Sequence, residues 1–201
     1  MMSHLKDMTK FDYALNAAFS LALTALNNND NVGFGIFSHK PLLFLKPKRG
    51  NAQLKTIMES CVDIKAQNCE ADYINSLLYF TKAVKERSLI VLLTDVTDEI
   101  SSSSLIKSLS LINAKHLSFC ATLYDQNLVN LAKPNLITFE NSHDKITQLF
   151  KRATSINVLS DRQMALSKLK MAKCMVLDTT ISKPYRDYTI QLDHKLIMTK
   201  A

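Results

Sequence analysis

The chain has 201 residues, of which 47% are hydrophobic and 21% charged, with a formal net charge of +7. That is enough chain to bury one sizeable core, and the balance excludes intrinsic disorder. No apolar run reaches the ~18 residues of a membrane helix, and "MMSHLKDMTK" lacks the apolar centre of a secretory signal.

The first predicted element is a helix over 11–26, "FDYALNAAFSLALTAL", with Phe11, Leu15, Ala18, Phe19, Ala22, Leu23 and Leu26 at helical spacing. Further apolar residues widen the stripe, so this helix is expected to be substantially buried. "NNNDN" stops it, because clustered Asn and Asp favour turns. "VGFGIFS" (32–38) and "LLFLK" (42–46) read as strands joined through "HKP" into an antiparallel hairpin. Gly33 and Gly35 fall on one face, which predicts a helix or backbone packed close against it.

"NAQLKTIMESC" reads as a helix with Asn51 as N-cap, and 72–84 as a second helix capped by Asp72. "SLIVLL" (88–93) is a short apolar run, the pattern of a strand covered on both faces. "SSSSLIKSLSLI" predicts a helix, "HLSFCATLY" (116–124) a strand and 125–132 a short helix. A long helical stretch over 143–172 is expected to break near Ser160, where "SDRQ" resembles a fresh N-cap. "CMVLD" (174–178) is the last strand, and a helical tail from about Tyr185 closes the chain. Strands alternating with helices predict an α/β, doubly wound, mostly parallel sheet with one antiparallel edge hairpin, in a single domain over 1–201.

The four cysteines form no CxxC pair and no histidine flanks them at zinc spacing. Cys120 and Cys174 sit in apolar runs as buried free thiols, which suits a reduced, cytoplasmic setting. The three glycines form neither a GxGxxG nor a P-loop pattern, so nucleotide binding by those routes is not expected. None of the five histidines stands in a recognisable nucleophile motif, and His116, at a strand start, is expected to be structural. The one compact basic run, "KPKRG" at 46–50, is too short for a nucleic-acid footprint.

The acids remain. In doubly wound folds, function gathers beyond the carboxyl ends of the strands, which places Asp95 there, beside Thr94 and shortly before Asp98. A hard cation takes carboxylate and hydroxyl oxygens; the same acids also suit the start of the next helix. A phospho-accepting aspartate would need an acid pair at an earlier strand end, and none is present. Spacing leaves the first two readings open.

"TKFDYALNAAFSLALTALNNNDNVGFGIFS", "FLKPKRGNAQL", "EADYINSLL", "RSLIVLLTDVTD" and "KHLSFCATLYDQNLVNLA" follow one another in a known order and spacing. From Thr9 to Ala132, and more loosely beyond, the chain resembles the von Willebrand factor A-like domain of the domain of unknown function 58 family. The resemblance implies a Rossmann-like three-layer fold, a metal-ion-dependent adhesion site and, as partner, a MoxR-type AAA+ ATPase of bacterial type. It makes Asp95 the acid of the fourth-strand metal loop, with Asp72, Thr94 and Asp98 in the interaction loops. The pattern is broken where Ala71 replaces a hydroxyl residue and where no first strand with its DxSxS loop precedes the first helix. Family members also usually carry an upstream membrane-anchored region. The expectation is therefore the C-terminal portion of a longer ancestral protein: a non-enzymatic protein-interaction domain that holds Mg²⁺ weakly or not at all. Its rivals are a remnant without function and a basic module for anions or nucleic acid. In A-type domains the missing strand lies between 32–38 and 88–93, so two open edges are expected to pair directly, accept a donated strand or drive homo-oligomers.

Overall fold

In the computed structural model, residues 4–5, 8–67, 69–133 and 142–180 are described. A short antiparallel pair, β1 (His4–Leu5) and β2 (Met8–Thr9), precedes the first helix, α1 (Lys10–Asn27). Thr9 starts that helix with a capping box: its hydroxyl accepts the Asp12 N–H at 3.2 Å, and the Asp12 carboxylate accepts the Thr9 N–H at 2.8 Å. Then come β3 (Val32–Phe37), β4 (Pro41–Lys48), α2 (Asn51–Cys61), α3 (Tyr73–Lys82) and β5 (Leu89–Thr94). The chain continues through α4 (Glu99–Ile112), β6 (Leu117–Tyr124), α5 (Gln126–Ala132), α6 (Ser142–Met171) and β7 (Met175–Thr180).

The α/β class, the parallel sheet and the antiparallel hairpin are as the sequence predicts. Strands β5, β6 and β7 form a parallel sheet in that order, while β3 and β4 pair antiparallel as a sheet of their own. Alternate side chains of the parallel strands feed two cores. Leu92, Cys120 and Val176 pack with Leu77 of α3, Leu105 and Leu109 of α4 and Leu169 of α6. Val91, Phe119, Ala121 and Leu177 pack on the other face against Tyr13, Ala17 and Leu21 of α1. The same helix reaches the hairpin through Ala22, which shares a cluster with Ile36 and with Ile57 of α2. Helix α1 thus braces both sheets.

Three local expectations change. The N-cap of α2 is Gly50, whose φ of 84° suits glycine, and Asn51 is the first helical residue. Helix α6 runs unbroken through Ser160, because Ser155, Arg162, Ala165, Leu166 and Leu169 keep one side of it buried before and after that position. The two close approaches at the strand glycines also differ in kind. A Cβ on Gly35 would lie 3.0 Å from the Phe80 ring of α3, whereas one on Gly33 would meet the Pro47 ring of the neighbouring strand at the same distance. Asp72 caps α3 as expected, accepting the Asn75 N–H at 3.0 Å. The tail from Tyr185 lies outside the described residues. No helix among those described is long and apolar enough to cross a membrane.

His116 is buried below the start of β6, where its Nδ1 accepts the Ser88 N–H at 3.3 Å. Burial, and then the Lys115 charge, hold its pKa below the ordinary histidine value. A base whose folded pKa is depressed binds fewer protons folded than unfolded, so its contribution is present above about pH 6.5 and lost as pH falls through the folded value. Protonated Nδ1 would also turn from acceptor to donor and face the Ser88 N–H. Urea midpoints should therefore fall as pH is lowered from about 7 to about 5, and less steeply in His116→Gln. An unchanged slope in that variant would assign the acid sensitivity elsewhere.

Candidate functional site

The in-register row Thr94–Thr122–Asp178 brings the carboxyl ends of β5, β6 and β7 together. Thr94 turns inward, and its hydroxyl meets the Tyr73 hydroxyl at 2.7 Å. Burial pushes the Tyr73 phenol up, so it keeps its proton at neutral pH. The Tyr73 ring meets the Phe37 ring edge-on at 5.7 Å, which ties the end of β3 to the same corner.

Asp95 follows Thr94 and is flanked by two cations. Its Oδ2 accepts from Lys10 Nζ at 2.8 Å, and its Oδ1 lies 3.6 Å from Arg162 Nη1. That Oδ1 is buried and makes no hydrogen bond. Lys10 comes from the first turn of α1 and Arg162 from the buried side of α6. Arg162 Nη2 donates to Thr122 Oγ1 and to Asp178 Oδ1, each at 2.7 Å, and Nη1 donates to the Val96 carbonyl. Its guanidinium also lies 5.6 Å from the centre of the Tyr124 ring. The result is an alternating chain of charge, Lys10–Asp95–Arg162–Asp178, with two cations and two carboxylates.

This donor set does not fit a divalent cation. Mg²⁺ demands a near-octahedral shell of oxygens at about 2.1 Å. To reach Asp95 it would have to displace the Lys10 ammonium and sit beside the Arg162 guanidinium. Among the described residues no three His, Cys, Asp or Glu side chains gather to hold a metal. The other predicted loop residues do not converge on Asp95. Asp72 is occupied as the cap of α3, where the Asn75 side chain and backbone hold its carboxyl below the usual range. Asp98 directly precedes α4 and accepts the Thr97 hydroxyl at 3.0 Å. Burial holds the thiols of Cys61, Cys120 and Cys174 up, in their unreactive protonated form.

Lys10, Arg162 and Asp178 were not anticipated. Arg162 did leave a trace in the sequence, since it shares a helical stripe with Ala165, Leu166 and Leu169, and a charge on an apolar stripe implies a buried partner.

The family described as "Protein of unknown function DUF58" matches residues 3–165. The match takes in Lys10, Asp95 and Arg162 but stops before Asp178. No curated protein and no solved structure matches the chain.

Removing Arg162 leaves two carboxylates facing each other without their shared cation. Arg162→Met is expected to cost about 3–5 kcal/mol in urea unfolding, the usual consequence of breaking a buried pair. Lys10→Met, which leaves Asp95 with Arg162 still beside it, is expected to cost about 1–3 kcal/mol. Equal, small losses in the two variants would show that the network contributes little.

Proposed function

The chain belongs to the DUF58 family, and from that premise we propose that it is a non-enzymatic protein-interaction domain of the von Willebrand factor A-like kind. Its recognition surface is the loop end around Asp95, Thr97 and Asp98, with the capped start of α3 at Asp72 beside it. Its partner, by the same resemblance, is a MoxR-type AAA+ ATPase. The observation that supports this reading is the Lys10 ammonium, 2.8 Å from Asp95, the carboxylate that the resemblance assigns to the metal loop.

An adhesion-type site relies on a bound cation for protein recognition. Here the positive charge is tethered to the protein and already neutralised by Asp95, so it contributes to shaping the surface and not to bridging. Recognition then falls to groups on the loop itself, where Thr97 is exposed and Asp98 adds negative charge, while Glu99 is paired with Lys168. A charge on such a rim sets register and encounter rate more than raw affinity.

Two measurements test this. Isothermal titration with Mg²⁺ and Mn²⁺ should give no saturable site in the micromolar range; a tight site abolished by Asp95→Ala would restore the metal-dependent mechanism. Binding to a purified MoxR-type ATPase should persist in EDTA and weaken by about tenfold in Asp98→Lys. Binding that vanishes with the chelator, or no binding at all, would refute the proposal.

A further inference from the structure

Helix α6 carries two apolar stripes, and the protein covers one of them. Ser155, Arg162, Ala165, Leu166 and Leu169 lie on the buried side. On the opposite side, Ile146, Leu149, Phe150, Ile156, Met164 and Met171 are between 45% and 82% exposed. At 3.6 residues per turn these six share one face of the helix. A single exposed apolar side chain is ordinary, but a row of six along one helix marks an interaction surface.

The row repeats every seven residues. Ile146, Ala153, Ser160 and Ser167 hold one position of the repeat, and Leu149, Ile156 and Gln163 hold the position three residues later. That is the spacing of a helix packed lengthwise against another helix. None of these residues is charged, and neither are the flanking Phe150, Asn157 and Met164. After Ile146 the first position is small, whereas the second begins with two large aliphatics. Two copies of this pattern fit each other when they run antiparallel. About a two-fold axis level with Val158, Leu149 lies opposite Ser167 of the second copy, Ile156 opposite Ser160 and Ala153 opposite Gln163. Each of these layers then joins a smaller side chain to a larger one. Phe150 comes beside Met164 of the second copy, a favourable sulfur–aromatic pairing. A parallel pair would set alanine on alanine and serine on serine, and leave voids that close packing does not tolerate.

We propose that the exposed stripe of α6 binds the same stripe of a second copy of this chain, as an antiparallel helix pair. This surface is separate from the loop end around Asp95 and does not depend on what that loop recognises. The overlap, residues 146–170, is about 36 Å long, and a partner helix covers a width of about 10 Å. The flat footprint is therefore ~400 Å² on each copy, against ~800 Å² in a standard interface. Interdigitation adds to it, and the area suits a reversible dimer with a Kd of about 10–100 μM. Charge sharpens the choice of partner. Each copy carries +7, so two copies repel and an uncharged seam must hold them. Salt screens that repulsion and tightens the pair. An acidic helix or an anionic lipid surface, drawn by the same positive charge, would respond in the opposite sense.

Sedimentation equilibrium of the intact chain from about 5 to about 500 μM should show monomer and dimer in exchange. Raising NaCl from about 0.05 to about 0.5 M should favour the dimer several-fold. Ile156→Glu and Ser160→Glu, both at exposed positions, should each weaken it about tenfold or more with an unchanged circular dichroism spectrum. Met58→Glu, at a comparably exposed apolar position on α2, should leave it intact. A spin label on Lys170→Cys, in a Cys69→Ser background, reports direction, since Cys61, Cys120 and Cys174 are buried. Labels on the two copies should lie about 36 Å apart along the helices. A monomer at every concentration, a dimer indifferent to both glutamates, or one that salt dissolves would overturn the proposal. A label separation under about 15 Å would overturn the antiparallel pairing. A monomer that binds vesicles of anionic lipid, and loses them in Ile156→Glu, would give the stripe to a membrane surface instead.

Discussion

The Arg162 guanidinium is the point on which the carboxyl ends of the parallel strands depend. It reaches the Val96 carbonyl after β5, Thr122 on β6 and Asp178 on β7, and it sits 3.6 Å from Asp95. A buried cation is tolerated only when it is paired and hydrogen-bonded. Each of its partners is therefore fixed by the cost of leaving the cation alone, and each strand end is fixed with it. The direction of α6 follows, since Ala165, Leu166 and Leu169 must stay buried while the arginine one turn earlier meets the strand ends. Satisfaction is incomplete: Arg162 Nε and Asp95 Oδ1 are both buried without a hydrogen bond. A polar network short of two bonds is held by geometry more than by its own energy.

The same network decides what kind of surface the loop end can be. A divalent cation bridging two proteins can be removed by a chelator or exchanged for another ion. A lysine in the first turn of α1 can be neither. Its charge at a helix amino end is locally unfavourable, because the dipole there favours anions. Asp95 offsets that directly, and Asp12 in the capping box does so from within the first turn. The site has the charge balance of a closed structural pairing, and any recognition there draws on shape and hydrogen bonding around it.

Much of this was legible from local pattern, and the failures share a cause. The apolar run ending in Thr94 and Asp95 read correctly as a strand with acids at its exit, because both features lie within a few residues. Asp72 read correctly as a cap for the same reason. Arg162 did not, because "SDRQ" looks like a helix start to any local rule, while the fact that keeps α6 continuous is a buried face created by distant strands. Lys10 and Asp178 join Asp95 only through the packing of α1 and β7 around β5 and β6. Asn51 lost the cap to Gly50 on a backbone angle, φ of 84°, that composition alone does not reveal.

The hairpin shows a different relation between pattern and structure. Periodicity records the environment a segment is suited to, and three segments here are suited to more burial than they have. Leu89 to Leu93 reads as a strand covered on both faces and is mostly half-buried. The α1 stripe of Phe11, Leu15 and Ala18 faces the cavity between β3 and β5 and is also half-buried. Strand β3 has Gly33 and Gly35 exposed and Phe34 half-buried. All three surfaces border the same volume. Strand β6, one strand away, is by contrast almost wholly buried. Helix α1 is anchored by Ala17 against the parallel sheet and by Ala22 against the hairpin, and so fixes the two on either side of that volume. The shared border of these three surfaces runs the length of the two strands, Val32–Phe37 and Leu89–Thr94.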